Sequence, residues 1–318
     1  MLVGFLVIAA GLVSSAAIIN GFIAYLGEFV DIDRPSAIIL VTLVTGAIAA
    51  WGITQSVSIA AFVTVIEIGG LLLIIAVSYN GMAELPARWR EMVPEPGSGG
   101  WYGVYAGALL AFYAFIGFED MVEVAEETRR VRRNLPIAIM LTLAITTLLY
   151  MAIMVTAVMA MPPEQLARSS VPLARLYEHY TGNDAGIISI IGLFALINGA
   201  LIQMIMASRV LYGMSSRHQL PAVISRVNAR TQTPLVATAL STIAILLLAL
   251  SGTLASLAEA TSLIMLIVFA LVNAALLRVK RKDPRPEGLI VFPVIVPLLG
   301  LIVSAAFVIS ELVSFAGI

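Results

Sequence analysis

Apolar residues come along this chain in long unbroken runs, and polar residues gather between the runs rather than alternating with them. A helix that crosses a bilayer needs roughly 20 mainly apolar residues. Nine stretches read that way: 2–27, 36–53, 56–79, 102–124, 136–161, 185–212, 234–251, 256–278 and 288–311. The pattern predicts an all-α, polytopic membrane helix bundle forming one transmembrane domain over 1–318. Runs 36–53 and 234–251 are short for a span, so their ends are the least sharply drawn.

The connections carry turn and stop signals. "EFVDIDRPS", "PARWREMVPEPGSGG" and "RKDPRPEG" are rich in Pro, Gly and charge, which favour turns and end helices. Asn80-Gly81 closes the third run as a turn pair. Lys and Arg fall unevenly on alternate connections, 13 on one set against 5 on the other, the poorer set being Arg34, Arg88, Arg90, Arg168 and Arg175. Basic loops stay cytoplasmic, which predicts the first span starting inside and the C-terminus outside.

Composition sharpens the class. Sixty per cent of the residues are apolar and 12% charged, against about a quarter charged in soluble domains. A net charge of −1 gives no reason to expect a nucleic-acid partner, and the expected surroundings are a lipid bilayer. The absence of cysteine excludes disulfides, thiolate metal sites and cysteine nucleophiles, and only two histidines, His179 and His218, are present. With no nucleophile–base pair and no Gly-rich phosphate loop, neither an enzyme nor a resident cofactor or metal is expected. Met1 leads straight into apolar sequence without the basic start of a signal peptide.

The candidate chemistry sits inside the runs. In "AFYAFIGFEDMVEVAEE" (111–127), Gly117 is flanked by Ile116 and Phe118, preceded by Tyr113 and Phe115, and followed by five carboxylates starting at Glu119 and Asp120. Glycine weakens a helix by up to ~1 kcal/mol relative to alanine, and broken helices within membranes bind substrates or ions where they line cavities. The segment reads either as a helix broken near 116–118 or as an ordinary helix with a tolerated glycine and a solvated acidic end. Glu67 stands midway through "SIAAFVTVIEIGGLLLIIAVSY", on a helical stripe with Ala60, Thr64 and Gly70. Ionisable groups at such depth are costly and often functional, so Glu67 reads as a coupling-ion site or as a structural acid bonded to a neighbouring carbonyl. In 185–212, Gly192, Ala195 and Gly199 make a small-residue face, and Asn198 and Gln203 read more readily as helix-to-helix hydrogen bonds than as ligand contacts.

"FIGFEDMVEVAEETRRVRRNLPIAI" resembles the signature of the amino acid/polyamine/organocation permeases, around their broken sixth helix. "ASRVLYGMSSRHQLPAVISRVNARTQTPLVA" is similar to the end of that family's eighth helix, and "SLAEATSLIMLIVFALVNAALL" and "FPVIVPLLGLI" to helices ten and eleven. The resemblance implies the leucine-transporter-like five-plus-five inverted-repeat fold, with the present spans as helices three to eleven of twelve. It implies a secondary transporter of amino acids or related amines, working by alternating access and coupled to H+ or Na+ or exchanging. It assigns substrate-binding or gating roles to Tyr113, Phe115, Ile116, Gly117, Phe118 and Glu119, and puts Glu67 where some proton-coupled members carry a lysine. Val131 replaces a proline usual in the basic loop. Helices one, two and twelve have no counterpart in the sequence, and the first normally holds the other half of the substrate site. Two expectations follow: a cell-membrane permease seen in part, or a non-transporting remnant or scaffold subunit.

Overall fold

The computed structural model describes residues 1–52, 57–82, 84–95, 97, 100–123, 125, 128–284 and 291–315. Its ten longer helices are α1 Leu2–Leu26, α2 Arg34–Trp51, α3 Val57–Val77, α4 Gly100–Tyr113, α5 Val131–Ala160, α6 Pro172–Thr181, α7 Gly186–Ser216, α8 Leu235–Ser251, α9 Leu254–Lys282 and α10 Ile295–Phe315. Among the described residues there is no strand. Among the described residues six helices, α1, α2, α5, α7, α9 and α10, are long and apolar enough to cross a membrane. The apolar part of α3 (Phe62–Val77) and all of α8 are shorter, and α4 stops after 14 residues. The chain is a multi-pass, all-helical membrane bundle.

Helix starts follow from local chemistry. The Asp33 carboxylate accepts from the Ser36 amide at 3.0 Å, and Pro35 opens α2 where its missing N–H costs nothing. Thr253 and Ser256 form a reciprocal capping box at α9. Between α5 and α7, the ten-residue α6 buries Ala174 and Leu176 and is too short to span.

α1 is the centre of the bundle, packing most extensively on α7 and α9 and also touching α8 and α2. Its inner positions are small, with Ala16 and Ala17 fully buried against a core that includes Ile38, Ala200, Met204 and Ile245. Small residues let helix backbones approach, which is what holds helices together where lipid removes most of the hydrophobic drive. Polar ties reinforce the approach. Ser15 donates to the Ala200 carbonyl at 3.0 Å, and Asn20 donates to the Ala249 carbonyl at 3.2 Å. Arg34 then donates to Asn20 Oδ1 at 2.7 Å and to the Gly252 carbonyl at 2.6 Å, placing a cation at the C-terminal, negative end of α8. α2 and α8 meet at Gly46, where an added Cβ would lie 2.6 Å from the Thr242 side chain. On the other flank, α3 packs on α7, α5 and α6 around Ile74, Ile153, Leu176 and Ile188.

Candidate functional site

After Tyr113 the chain leaves the helix, turns through Ala114–Glu119, and resumes a single helical turn at Asp120–Glu123. Gly117 has φ +123°, a conformation that only glycine adopts without strain. The backbone bonds tighten from i−4 to i−3 on both sides: Ile116 donates to the Tyr113 carbonyl and Asp120 to the Gly117 carbonyl.

Inside a membrane every freed backbone group needs a partner, and these can be followed one by one. The Gly117 amide donates to Glu119 Oε2 at 2.8 Å, so Glu119 closes back over the turn as its cap. The Ala114 carbonyl accepts from the Tyr150 hydroxyl of α5 at 3.1 Å. The carbonyls of Phe115 and Ile116 accept no hydrogen bond among the described residues. Two adjacent acceptors are therefore left open on residues that are themselves partly buried.

Side chains fasten this turn to four helices. Tyr113 donates to the Ser14 carbonyl of α1 at 3.3 Å. Ile116 and Phe112 pack on Ala10 of α1 and Met265 of α9. Phe112 and Phe118 both meet Phe269 of α9, with ring centroids 5.7 and 5.8 Å away. Phe115 stands edge-on to Tyr150 at 5.3 Å. Asp120 accepts from Gln203 of α7 at 2.9 Å. Beside the turn lies an apolar cavity of about 390 Å³ between α4, α9 and α10, walled in part by Phe112, Phe115, Leu266 and Phe307.

Glu67 lies on α3, half-buried, with Gly70 one turn on packed against Ile191 of α7. Glu67 Oε1 and Asn198 Oδ1 are each buried without a partner among the described residues. Thr64, on the same expected stripe, is exposed. The Ala60 side chain, Glu126, Glu127 and Arg285 lie outside the described residues, and only the backbone of Glu123 is described.

The turn residues Tyr113 to Glu119 are thus contiguous, whereas Glu67 lies on a separate helix, α3. The sequence reading passed over Tyr150 and Ser14. A tyrosine in an apolar run does carry a signal, because its hydroxyl seeks a partner when buried. Among the described residues no group of three or more His, Cys, Asp or Glu could hold a metal ion.

Comparison with known proteins adds an independent line. A family model described as amino acid permease matches residues 1–316. The branched-chain amino acid permease BcaP of Bacillus subtilis is 28% identical over 263 residues, covering 81% of this chain and 54% of that protein. The vacuolar cationic amino acid transporter 2 of Arabidopsis thaliana is 29% identical over 262 residues, covering 80% and 40%. The methylthioribose transporter of B. subtilis is 26% identical over 254 residues, covering 79% and 53%. The chain spans about half the length of the curated relatives it matches.

Proposed function

The chain belongs to the amino acid permease family, a family of transporters and not of enzymes, and from that premise we propose that it moves an amino acid or a related amine across the cell membrane by alternating access. The observation that carries the reading is the pair of open carbonyls at Phe115 and Ile116. A protonated amine is an all-donor group, and two adjacent open carbonyl oxygens are its complement. The rings of Tyr113, Phe115 and Phe118 supply packing for the remainder of the substrate, and Gly117 supplies the bend. Glu119 serves by holding the bend open, its carboxylate already engaged with the Gly117 amide. Relatives named for branched-chain amino acids, cationic amino acids and methylthioribose support a substrate among small polar solutes. A cation gradient drives accumulation through Glu67, and the basic connections face the cytoplasm.

The test is uptake of labelled amino acids into proteoliposomes containing the protein, with a competition panel of branched-chain, cationic and neutral amino acids. Saturable uptake is expected, with Phe118→Ala raising KM several-fold. Uptake and counterflow no greater than in protein-free liposomes for every member of the panel would sink the reading.

A further inference from the structure

We infer that the connection between α5 and α7 carries a binding site for a small carboxylate anion, gripped by Arg168 in a polar cavity against α6. The site goes beyond the transport reading, and the binding itself does not depend on that reading.

The cavity has a volume of about 540 Å³, within the roughly 300–1,000 Å³ range of small-molecule sites. One wall is α6, on which Arg175, Glu178 and His179 stand three and four residues apart and so share a face, while Ala174 and Leu176 are buried. The other wall is the short helix Pro163–Ala167 and the chain just after it, with Gln165 and Arg168 one turn apart and two serines following. Met161 is the one apolar side chain in the lining. Such a lining suits a small polar solute rather than a lipid tail. On the orientation proposed above, the cavity opens outward. It is well removed from the turn at Ala114–Glu119: the turn is tied to α5 at Tyr150 and the cavity begins at Met161, which at roughly 1.5 Å per residue is about 16 Å farther along the helix.

Arg168 is the group that calls for a ligand. Of the five cations on the cation-poor connections, four are already engaged. Arg34 donates to Asn20 and the Gly252 carbonyl, and Arg88 to Glu84 at 3.2 Å and the Met159 carbonyl at 3.3 Å. Arg90 lies over the Trp89 ring, and Arg175 donates to Glu178 at 2.7 Å. Arg168 has no hydrogen bond or ion pair among the described residues, although Glu164 stands one turn back at pairing distance in sequence. The lining therefore holds two guanidinium groups and one carboxylate, and once Arg175 and Glu178 cancel, one positive charge is left over. Further donors surround it. Ser169 Oγ accepts from the Val171 amide at 3.2 Å, which keeps its hydroxyl proton free to donate, and Gln165 and Ser170 add an amide and a hydroxyl. The planar guanidinium fork matches the two oxygens of a carboxylate. A single uncompensated charge balances a monoanion, whereas a phosphate monoester brings about −1.5 to −2. Arg168 and Arg175 are exposed, so an anion reaches them from solvent and salt weakens the grip. The bound anion would join the short helix to α6 within the connection between α5 and α7, and both of those helices hold the turn, through Tyr150 and Gln203.

The experiment uses the full chain in nanodiscs of neutral phosphatidylcholine, with thermal unfolding followed as sodium acetate, glycine or sodium phosphate is titrated in, chloride holding the ionic strength constant. Acetate should raise the unfolding midpoint saturably. Arg168→Gln should weaken its apparent affinity by about tenfold or more, as loss of a charged hydrogen-bonding partner does. Arg168→Lys keeps the charge without the fork and should fall between the two, while Glu164→Gln should leave the response intact. Because Arg168 makes no internal contact, its variants test binding rather than folding. Glycine binding several-fold tighter than acetate identifies an amino acid as the source of the carboxylate, and acetate binding at least as well identifies an organic acid; either supports the site. The inference is overturned if acetate and glycine both act no differently from chloride, if their effect survives unchanged in Arg168→Gln, or if phosphate stabilises the protein and acetate does not. Amino acid binding at the turn would persist in Arg168→Gln, so the transport reading and this site can fail independently.

Discussion

Replacing Gly117 with alanine isolates the cost of the bend. Nothing lies within 4 Å of a Cβ built on Gly117, so the substitution meets no neighbour. What it meets is its own backbone, because φ +123° is closed to residues with a Cβ. Such strain amounts to about 1–3 kcal/mol. Alanine would also favour a continuous helix over glycine by up to ~1 kcal/mol. Together the bent form loses about 1–4 kcal/mol relative to a straightened one, which at roughly 1.4 kcal/mol per factor of ten is about a fivefold to seven-hundredfold fall in its population. Gly107 is the control: it lies inside α4, also has nothing within 4 Å of its Cβ position, and lacks the positive φ. Hydrogen–deuterium exchange over 112–122 and stabilisation by amino acid are the assays. Gly117→Ala should show slowed exchange in this segment and weakened amino acid binding, while Gly107→Ala leaves both near wild type. Equal behaviour of the two variants would refute the assignment of the bend to the Gly117 backbone.

Gly46→Ala should destabilise the protein by about 1–3 kcal/mol through overpacking, because the new methyl would meet Thr242, whose hydroxyl is tied to the Thr238 carbonyl at 2.8 Å; Thr242→Ala in the same chain should recover most of the loss in thermal unfolding midpoint. Tyr150→Phe keeps the ring against Phe115 but removes the hydroxyl, and should weaken the turn by about 1 kcal/mol. Since the chain has no native cysteine, maleimide labelling of a single Ala114→Cys reports on that loosening, and an unchanged labelling rate would count against it. The Ser36 amide holds the Asp33 carboxyl below its ordinary value. A depressed value in the folded state means the contribution is present above the unfolded value and fades as pH falls through the folded one. Acidification below the ordinary Asp range should therefore fray the start of α2 in wild type and have no such effect in Asp33→Ala, as measured by amide exchange.

The helical class and the family were legible in the sequence because both are written locally, in apolar runs and in contiguous motifs such as 115–139. α6 was not among the nine runs, since ten residues with a single buried face carry too little apolar length to stand out. The sequence drew attention to Gly117 and Glu67 as isolated oddities within apolar runs, but their partners belong to tertiary packing. Gln203, read as one polar group among others, meets Asp120 across 83 positions. Arg34 was counted only as a loop charge, yet it ties Asn20 to the end of α8. In each case the sequence shows a polar group that needs a partner, and only the fold says which partner is near.

The central place of α1 also sets a timetable for making the protein. Ser15 finds its acceptor on Ala200, 185 residues later, and Asn20 reaches Ala249, 229 residues later. At ordinary elongation rates the ribosome needs about 10–45 s to deliver those partners. Throughout that interval α1 resides beside the insertion machinery or in lipid, with Asn20 relying on the Ala16 carbonyl of its own helix, 3.0 Å away. A substitution that makes α1 more polar would thus be felt during biogenesis, as faulty insertion or early degradation, before the finished bundle had any chance to accommodate it.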